Sequence, residues 1–417
     1  MKRKPNRMIM LILLLCPVLL CGTLGCDRSQ KDPEHMPETV LQPERTEEPS
    51  GSAAAEPTHK ADDAVCRVLF VNVGRADAAL IQIGTANYLI DTGEDVSIWR
   101  LLSALQCMDV ERLDGVFLTH THGDHIGGFQ VLAREYSIDR VYRAEISMDK
   151  QNGKNKIDQR AEKAGIPVTT LKAGDTVELG NGLAFEVIGP LIYNAEDDND
   201  NSLVLRLAVA GKTFLFTGDM QFSEEQSLLN AGADLKADVL KVGNHGNPDA
   251  TSDAFGRAVS PAFAVITTDR LVDKNSANAR VIAALPNARV YVTDETDVGL
   301  LMTVSADGEL RISQPAREET GLELCIKAVD RQDQIVTIQN NGADADISGC
   351  MLFSMRGGEL FRFPEGTRLR SGESVSVSGE GKGGDFEWNG EKKPWSTKKD
   401  DPALLLDRYG NVLMRFD

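Results

Sequence analysis

The chain has 417 residues, of which 41% are hydrophobic and 26% charged, and its formal net charge is −18. This composition is typical of a globular protein and excludes a chain disordered throughout, while the length allows two or three domains. So acidic a chain is also a poor general platform for nucleic acid, because proteins bind nucleic acid mainly by neutralising its phosphates.

The first 26 residues predict export. Four basic residues precede an apolar run at residues 8–21, which is too short to span a membrane as a stable helix and is typical of a signal sequence. The run ends in Gly22-Thr-Leu-Gly-Cys26, which is similar to a bacterial lipobox with Cys26 as the lipidated residue. Thr23 stands where that pattern has leucine, so secretion after cleavage nearby and an uncleaved anchor stay open.

Residues 27–64 predict a disordered acidic linker. They contain five prolines and no aromatic residue, a composition that cannot bury a core. Such a linker holds a folded domain away from a membrane. We therefore expect an exported lipoprotein that faces outside the cytoplasm, or a secreted protein.

Residues 65–317 show short apolar strands that alternate with amphipathic helices, a pattern typical of an α/β domain. Strands are predicted at Val68–Val73, Leu80–Ile83, Tyr88–Ile90, Val116–Leu118, Ala184–Ile188, Leu203–Ala208, Thr213–Phe216, Val239–Val242, Ala262–Thr267 and Arg289–Val292. Helices are predicted at Val96–Leu105, Ser223–Leu229 and Arg280–Leu285.

A cluster of metal-ligand side chains follows the predicted strand Val116–Leu118. His120, His122, Asp124 and His125 fall within six residues, and the chain contains only six histidines. Imidazole and carboxylate groups at this density are typical of a metal site rather than of a solvated loop. His120 and His122 are placed to bind one ion, and Asp124 and His125 to reach a second ion about 3.5–4 Å away, the spacing of two-metal hydrolases.

This cluster resembles the signature of the metallo-β-lactamase superfamily, and three further segments resemble that family in the same order. Asn87-Tyr-Leu-Ile-Asp91-Thr-Gly resembles the strand whose aspartate orients a ligand histidine. Leu215-Phe-Thr-Gly-Asp219 resembles the segment with the metal-bridging aspartate, and Leu240-Lys241-Val-Gly-Asn244-His245-Gly resembles the last histidine motif. The resemblance implies an αββα sandwich with the ligands on loops at one edge of the paired sheets.

Within that family the chain is similar to the hydrolase domain of the ComEC DNA-uptake proteins. Three segments agree in order and spacing: Asn72-Val-Gly-Arg-Ala-Asp77, Asn199-Asp-Asn201-Ser-Leu-Val and Lys241-Val-Gly-Asn244-His245-Gly-Asn. Asn244 replaces the first histidine of a pair, and no histidine lies between His125 and His245. Asn201 and Asn244 are therefore possible ligands, and one metal site is a ligand short if that first histidine is needed.

The resemblance implies a set of site residues. The expected ligands of one or two divalent ions, Zn²⁺ or Mn²⁺, are His120, His122, Asp124, His125, Asp219 and His245. Asp124 and Lys241 are expected to be catalytic: Asp124 binds an ion or orients the attacking water, and Lys241 stabilises developing negative charge or pairs with Asp219. Supporting or possible ligand residues are Asp77, Asp91, Asn201 and Asn244.

Residues 322–417 show turn signals at short intervals, which predicts an all-β sandwich. Predicted strands are Gln334–Ile338, Ser374–Ser378 and Ala403–Leu406. The region resembles the lamin-tail domain, an immunoglobulin-like module, in segments such as Val336-Thr-Ile-Gln-Asn-Asn-Gly and Phe363-Pro-Glu-Gly-Thr. The resemblance implies a module without catalytic residues, and we expect it to bind a protein, envelope or DNA partner or to act as a spacer.

Two features of this C-terminal region have alternative interpretations. Cys325 and Cys350 either form a disulfide, which an exported protein allows, or are two buried thiols. Lys392-Lys393 and Lys398-Lys399, beside Trp388 and Trp395, form either a nucleic-acid patch or a solvated loop.

The sequence favours an exported metal-dependent hydrolase that cleaves phosphodiester bonds in extracellular DNA or nucleotides. A second hypothesis keeps this chemistry and replaces the substrate with a lactone, thioester or β-lactam. A third is a tethered binding protein with a degenerate metal site. The substrate class rests on the ComEC resemblance, because a fold by itself does not determine a substrate.

Overall fold

The structure is a computed structural model and describes residues 63–145, 155–388 and 390–417. The predicted signal sequence, Cys26 and nearly all of the predicted linker lie outside these residues. Within the described ranges, no helix combines the length and the apolar character that crossing a membrane requires.

Seventeen strands and seven helices form the region up to residue 313, counted over the described residues. The strands are β1 Ala64–Val71, β2 Ala79–Ile83, β3 Ala86–Ile90, β4 Arg112–Leu113, β5 Gly115–Leu118, β6 Ser137–Ile138, β7 Val141–Ala144, β8 Val168–Leu171, β9 Thr176–Gly180, β10 Leu183–Gly189, β11 Val204–Val209, β12 Lys212–Phe216, β13 Val239–Lys241, β14 Phe263–Ile266, β15 Arg289–Val292, β16 Gly299–Ser305 and β17 Leu310–Ser313. The helices are α1 Ile98–Cys107, α2 Gly123–Ile126, α3 Phe129–Glu135, α4 Lys156–Ala164, α5 Phe222–Ala231, α6 Asp253–Val259 and α7 Ala279–Ala283.

Two mixed sheets lie face to face. The first has the strand order β17-β16-β1-β2-β3-β5-β7-β8, and the second has the order β15-β14-β13-β12-β11-β10-β9. In the first sheet β3, β5, β7 and β8 run parallel, and in the second β12 to β15 run parallel. The strands missed by the sequence interpretation, such as β7 to β9, lie mostly at the sheet edges.

Apolar clusters hold the two sheets and the helices outside them together as four layers: helix, sheet, sheet and helix. Aromatic side chains of both sheets, including Phe70, Phe117, Phe185 and Phe216, fill the space between them. A second apolar cluster joins the outer face of the first sheet to α1 and α3, and a third joins the second sheet to α5, α6 and α7. β5 is buried along its whole length, as expected for a strand covered on both faces. The αββα sandwich predicted from the sequence is confirmed.

The C-terminal region is built almost entirely from strands. They are β18 Leu324–Asp330, β19 Ile335–Asn340, β20 Ala345–Asp346, β21 Met351–Ser354, β22 Glu359–Arg362, β23 Arg368–Leu369, β24 Ser374–Gly379, β25 Phe386–Trp388, β26 Ala403–Leu406 and β27 Val412–Phe416. Two four-stranded sheets, β18-β19-β24-β25 and β22-β21-β26-β27, share one apolar core, as the predicted sandwich requires.

The second of these sheets also packs on the α/β region that ends at residue 313. Leu352 and Leu405 face the core of the C-terminal region, whereas Met351, Phe353 and Leu404 belong to the cluster that contains α1 and α3. This alternation follows from the two-residue period of a strand. The described residues of the C-terminal region and of the α/β region therefore lie in one compact unit with a shared apolar interface.

The structure also bears on the two open features of the C-terminal region. Trp388 and Trp395 are 3% and 1% exposed, and their rings pack against each other with centroids 5.7 Å apart. These rings belong to the core and cannot stack on bases, whereas phosphate binding by the four lysines stays a prediction. Cys325 and Cys350 are free thiols, and burial raises the pKa of Cys350 to about 12.

Candidate metal centre

The ligand-type side chains gather where parallel strands end. Asp91 directly follows β3, His120 lies two residues after β5, and Asp219 lies three residues after β12. His245 lies four residues after β13, on a short 3-10 turn at Gly243–Gly246. Carboxyl ends of parallel strands share one edge of a sheet, so residues far apart in the chain meet there.

The loop after β5 carries the densest part of the site. His120 and His125 are buried, His122 is half-buried, and the Asp124 side chain is 15% exposed. The short helix α2 places Asp124 and His125 on one turn, close to the carboxyl edge of both sheets. The loop therefore combines buried imidazoles with one carboxylate that still reaches solvent.

The glycine pair after α2 lets this loop pack closely. A Cβ on Gly127 would lie 2.3 Å from the carbonyl oxygen of Gly123, and one on Gly128 would lie 2.4 Å from that of Thr92. Any larger side chain would push the loop away from the sheet. The glycines of the motif are therefore required by backbone contact.

Four side chains form a cluster able to hold a cation. Asp124, His125, Asp219 and His245 each offer one ligand atom, and these atoms all lie within 4.8 Å of one another. Nε2 of His125 is 3.1 Å from Oδ2 of Asp219, and Nε2 of His245 is 3.3 Å from the same oxygen and 3.4 Å from Oδ2 of Asp124. Asp219 therefore lies at the centre of the cluster.

Supporting residues fix the orientation of two cluster histidines. Nδ1 of His125 lies 2.8 Å from Oδ2 of Asp91, and Nδ1 of His245 lies 2.9 Å from the carbonyl oxygen of Thr267. A carbonyl oxygen and a carboxylate only accept, so both Nδ1 atoms carry the hydrogen. Each Nε2 then keeps its lone pair for a metal ion, as is usual for metal-binding histidines.

His120 follows the same rule with hydroxyl partners. Its Nδ1 lies 3.1 Å from Oγ1 of Thr119 and 3.3 Å from Oγ of Ser202. Oγ1 of Thr119 donates to Asp91, and its backbone nitrogen donates to the same carboxylate. Asp91 therefore holds the strand end at Thr119 as well as His125.

The donor set fits a divalent ion. Four of its buried atoms have no hydrogen-bond partner among the described residues: Nε2 of His120, His125 and His245, and Oδ1 of Asp219. Buried polar atoms without partners are costly and rare, so several in one place indicate a missing ligand. Imidazole nitrogen and carboxylate oxygen together suit Zn²⁺ and similar ions.

The charge of the site agrees with this fit. The carboxylates are Asp77, Asp91, Asp124 and Asp219, and the fixed cations beside them are Lys241 and Arg75. Burial lowers the pKa of His125, but Asp219 and Asp91 raise it well above its ordinary value. Asp219 and Asp77 overcome burial in the same way at His245. Protons and a cation therefore compete for the same histidines.

Asp77 and Lys241 form a buried pair behind the cluster. Nζ of Lys241 contacts the Asp77 carboxylate, donates to the carbonyl oxygen of Gly218 at 2.9 Å and lies 3.8 Å from Oδ1 of Asp219. Burial opposes the ionisation of Asp77, but Lys241 lowers its pKa to about 2. The main partner of Lys241 is thus Asp77, with Asp219 second. At 5% exposure its ammonium group orients the cluster from behind.

The structure does not bring Asn201 or Asn244 into the cluster. Asn201 exchanges hydrogen bonds with the Asn194 backbone and donates to Asp198, and Asn244 donates to Asp249 at 2.9 Å. His245 alone enters the cluster from the last motif. Asn244 and His245 have φ of 44° and 53°, and this left-handed turn directs the histidine ring inward.

His120 and His122 form the less complete side of the site. Their ring centroids are 4.6 Å apart, and the centroids of His120 and His125 are 4.1 Å apart. Among the described residues, the groups of three or more close ligands include neither His120 nor His122. The cluster around Asp124 is therefore the stronger candidate for a first ion, and the pair of histidines for a second.

Sequence reasoning missed several supporting residues of the site, among them Arg75, Asp273 and Asp198. Arg75 lies at its exposed rim, with Nη1 3.6 Å from Oδ2 of Asp124 and Nε 3.1 Å from Oδ2 of Asp273. Asp198 is buried and accepts from the backbone and hydroxyl of Thr121, which fixes the loop between His120 and His122. Arg75 stands inside a quoted motif and Asp198 directly precedes another, whereas Asp273 lies near no quoted motif.

The part of the chain that contains this cluster matches a known protein family. Residues 71–267 match the family described as Metallo-beta-lactamase superfamily, a range that runs from the end of β1 to Thr267 and contains the whole cluster. Residues 71–267 have the metallo-β-lactamase fold. The expected family resemblance is confirmed at the level of the fold, whereas the lamin-tail resemblance of residues 322–417 remains a prediction.

Relatives of this metallo-β-lactamase region include competence proteins. The chain is 28% identical over 247 residues to ComE operon protein 3 of Bacillus subtilis (strain 168), covering 54% of this chain and 31% of that protein. It is 30% identical over 202 residues to Competence protein ComA of Neisseria gonorrhoeae, covering 47% of this chain and 26% of that protein. It is 32% identical over 97 residues to Exodeoxyribonuclease WalJ of Streptococcus pneumoniae serotype 2, covering 23% of this chain and 36% of that protein. The chain thus spans well under half of each relative.

Proposed function

We propose that this chain is a metal-dependent hydrolase of phosphodiester bonds, acting on DNA or nucleotides outside the cytoplasm. The observation that carries the proposal is the buried cluster of Asp124, His125, Asp219 and His245, whose unpartnered atoms converge at one sheet edge. Such a set suits hydrolysis assisted by one or two divalent ions, Zn²⁺ or Mn²⁺.

Each residue has a distinct task in this proposal. Asp124, His125, Asp219 and His245 would hold a divalent ion, which would supply Lewis acidity toward a phosphoryl oxygen and toward water. Asp124 is the cluster carboxylate that reaches solvent, and His245 and His125 hold its pKa below the ordinary value although burial raises it. It therefore remains an acceptor for the attacking water. Asp91 and Lys241 position the cluster from behind.

Arg75 favours a phosphate substrate over a neutral ester. Its side chain is 39% exposed beside Asp124, and its guanidinium is fixed by Asp273. The Asp273 carboxylate in turn accepts a hydrogen bond from Asn247. A guanidinium fits two phosphate oxygens at once. The name Exodeoxyribonuclease of one relative agrees with this substrate class. A neutral lactone or thioester would offer no anionic group to Arg75.

The test compares three Asp→Asn variants on bis(p-nitrophenyl) phosphate and single-stranded DNA with added Mn²⁺ or Zn²⁺. Asp124→Asn and Asp219→Asn should each lower kcat/KM by at least about 100-fold, because each disturbs metal placement and charge together. Asp333→Asn, at an exposed carboxylate in the C-terminal region, is the matched control and should retain activity. Turnover of a lactone but of neither phosphodiester would support the ester hypothesis. No turnover with any ion would favour a binding protein.

Export and anchoring through Cys26 complete the proposal. The charged start and apolar run of the sequence support it, together with the linker at residues 27–64. Cys26→Ser should move the protein from the membrane fraction to the soluble exported fraction. A mature N-terminus other than Cys26 in mass spectrometry would contradict lipidation. Partners of the C-terminal region, whether protein, envelope or DNA, remain a prediction.

A further inference from the structure

A groove of about 710 Å³ begins at the loop after β5, which carries His120, His122, Asp124 and His125. Thr121 and Gly123 of that loop line one end, and side chains of α3 and α4 line one wall. Gly357, Glu359 and Glu391 of the C-terminal region line the opposite wall. The C-terminal region therefore completes the lining of this groove.

The α4 wall of this groove is basic. Lys156, Arg160 and Lys163 all face it, since residues three, four and seven apart share one side of a helix. Nη1 of Arg160 donates to the carbonyl oxygens of Ile126 and Gly127, which fastens α4 to the end of α2. Neither lysine has an ion pair among the described residues, so both ammonium groups are free for a ligand.

The acidic residues of the groove lie mainly on the other wall. Glu391 is 3.6 Å from Arg134, so these two charges offset each other, and Glu359 accepts from the hydroxyl of Ser354. Lys156, Arg160 and Lys163 therefore form a local basic wall on a chain whose net charge is −18. Lys156 and Lys163 are two helical turns apart, about 10 Å along the axis, which spans two or three phosphates of a nucleic-acid strand.

We propose that this groove binds a single nucleic-acid strand whose phosphates contact Lys156 and Lys163 while the bond to be cleaved lies at the metal centre. The inference rests on the proposed function, which it deepens by naming a polynucleotide as substrate. The groove is recessed, so it fits an extended strand better than the flat surface of a bilayer. It also assigns the C-terminal region a task, which is to form the second wall.

The test measures binding to the full chain without metal, so it does not depend on catalysis. Fluorescence polarisation with a labelled 15-nucleotide oligothymidylate in EDTA compares wild type with Lys156→Glu/Lys163→Glu. Affinity should fall at least about 10-fold, and the slope of log K against log salt should become shallower by about 1.4, at 0.7 per phosphate contact. Lys236→Glu/Lys327→Glu, at two exposed lysines elsewhere, makes the same charge change and should alter affinity less than about twofold.

Other outcomes would overturn the inference. Equal loss of affinity in both charge-reversal pairs would show a general charge effect and no specific binding of the strand in the groove. Displacement of the oligonucleotide by polyglutamate of equal charge would assign the groove to acidic peptides. Lys156→Ala/Lys163→Ala, with thermal unfolding as a check on folding, keeps the test decisive if the glutamate pair misfolds. Binding that survives while hydrolysis is absent would contradict the proposed function alone.

Discussion

His120, His125 and His245 are each oriented by a hydrogen bond at Nδ1. The partners of His125 and His245 lie outside the histidine's own motif, whereas the partners of His120 include its neighbour Thr119. Thr267, which holds His245, lies 22 residues further along the chain, and Asp91, which holds His125, lies 34 residues before it. The left-handed backbone at His245 costs of order 1–3 kcal/mol and persists only because its surroundings fix it. The metal centre is thus specified as much by its supporting residues as by its ligands.

Glu224 provides a pH-dependent test of the fold at the residue scale. Burial raises the pKa of Glu224 from 4.5 to about 7, although the backbone nitrogens of Leu191 and Ile192 donate to it. Because the pKa of Glu224 is higher in the folded than in the unfolded protein, its contribution to stability is fully present below pH 4.5 and is lost as the pH rises through 7. Relative to wild type, Glu224→Gln should therefore gain up to about 3 kcal/mol of unfolding free energy between pH 5 and 8.

Urea unfolding at several pH values checks this expectation. The difference between variant and wild type isolates Glu224, because the other titrating groups are shared. Glu178→Gln, at an exposed position on β9, is the control and should show a difference that does not change with pH. A constant difference for Glu224→Gln as well would contradict the assignment.

At this scale the sequence located the ligand-type residues and, through the family resemblance, Asp91, but not their other partners. His120, Asp124 and Asp219 are recognisable because their chemistry follows directly after apolar strands. Thr267 could not be identified, since it acts through a backbone carbonyl that any residue offers. The exclusion of Asn201 from the cluster likewise depends on hydrogen bonds to Asn194, which only the folded loop creates.

At the scale of elements, the turn from α2 into α3 should be intolerant of any side chain. Gly128→Ala would place a Cβ 2.4 Å from the carbonyl oxygen of Thr92 and 2.5 Å from Ile98. It should lower the unfolding free energy by about 2–3 kcal/mol, as overpacking usually does, and weaken metal binding. Gly123 begins α2, before this turn, and no atom lies within 4 Å of a Cβ added there, so Gly123→Ala should not lower the unfolding free energy. Equal stability of the two variants in urea unfolding would contradict this packing.

Strand patterns also contained a signal that the sequence interpretation did not use. Met351–Ser354 and Ala403–Leu406 are buried at every position, unlike an antiparallel strand with one solvated face. Such continuous apolar runs indicate a sheet covered on both sides. They could have predicted that the C-terminal region packs on another domain. They could not identify α1 and α3 as the partner.

At the scale of the molecule, the C-terminal region should be necessary for the stability of the α/β region that ends at residue 313. Phe353 is fully buried in the cluster shared with α1, and Ser103 of α1 donates to the carbonyl oxygen of Tyr409. Removing residues 322–417 would expose this apolar surface, so the truncated chain should aggregate or lose at least about 5 °C in Tm. Removing residues 27–62 is the matched control and should leave Tm unchanged.

Phe353→Ala in the full chain separates packing from simple truncation. It should lower the unfolding free energy by about 3–5 kcal/mol, the usual cost of a buried phenylalanine. A chain ending at residue 321 that stays soluble with the Tm of the full protein would show that the two regions are independent. The groove proposed for nucleic acid would then lose its second wall as a stable feature.

The most direct measurement of the central claim is the metal content of the full chain after equilibration with Zn²⁺ or Mn²⁺ and removal of free ion. We expect at least one tightly bound ion per chain, held by Asp124, His125, Asp219 and His245. Asp219→Asn should lose it, His122→Ala should keep the first ion and lose any second, and Asp333→Asn should match wild type. Only trace metal in the wild-type protein, or unchanged occupancy in Asp219→Asn, would contradict the account.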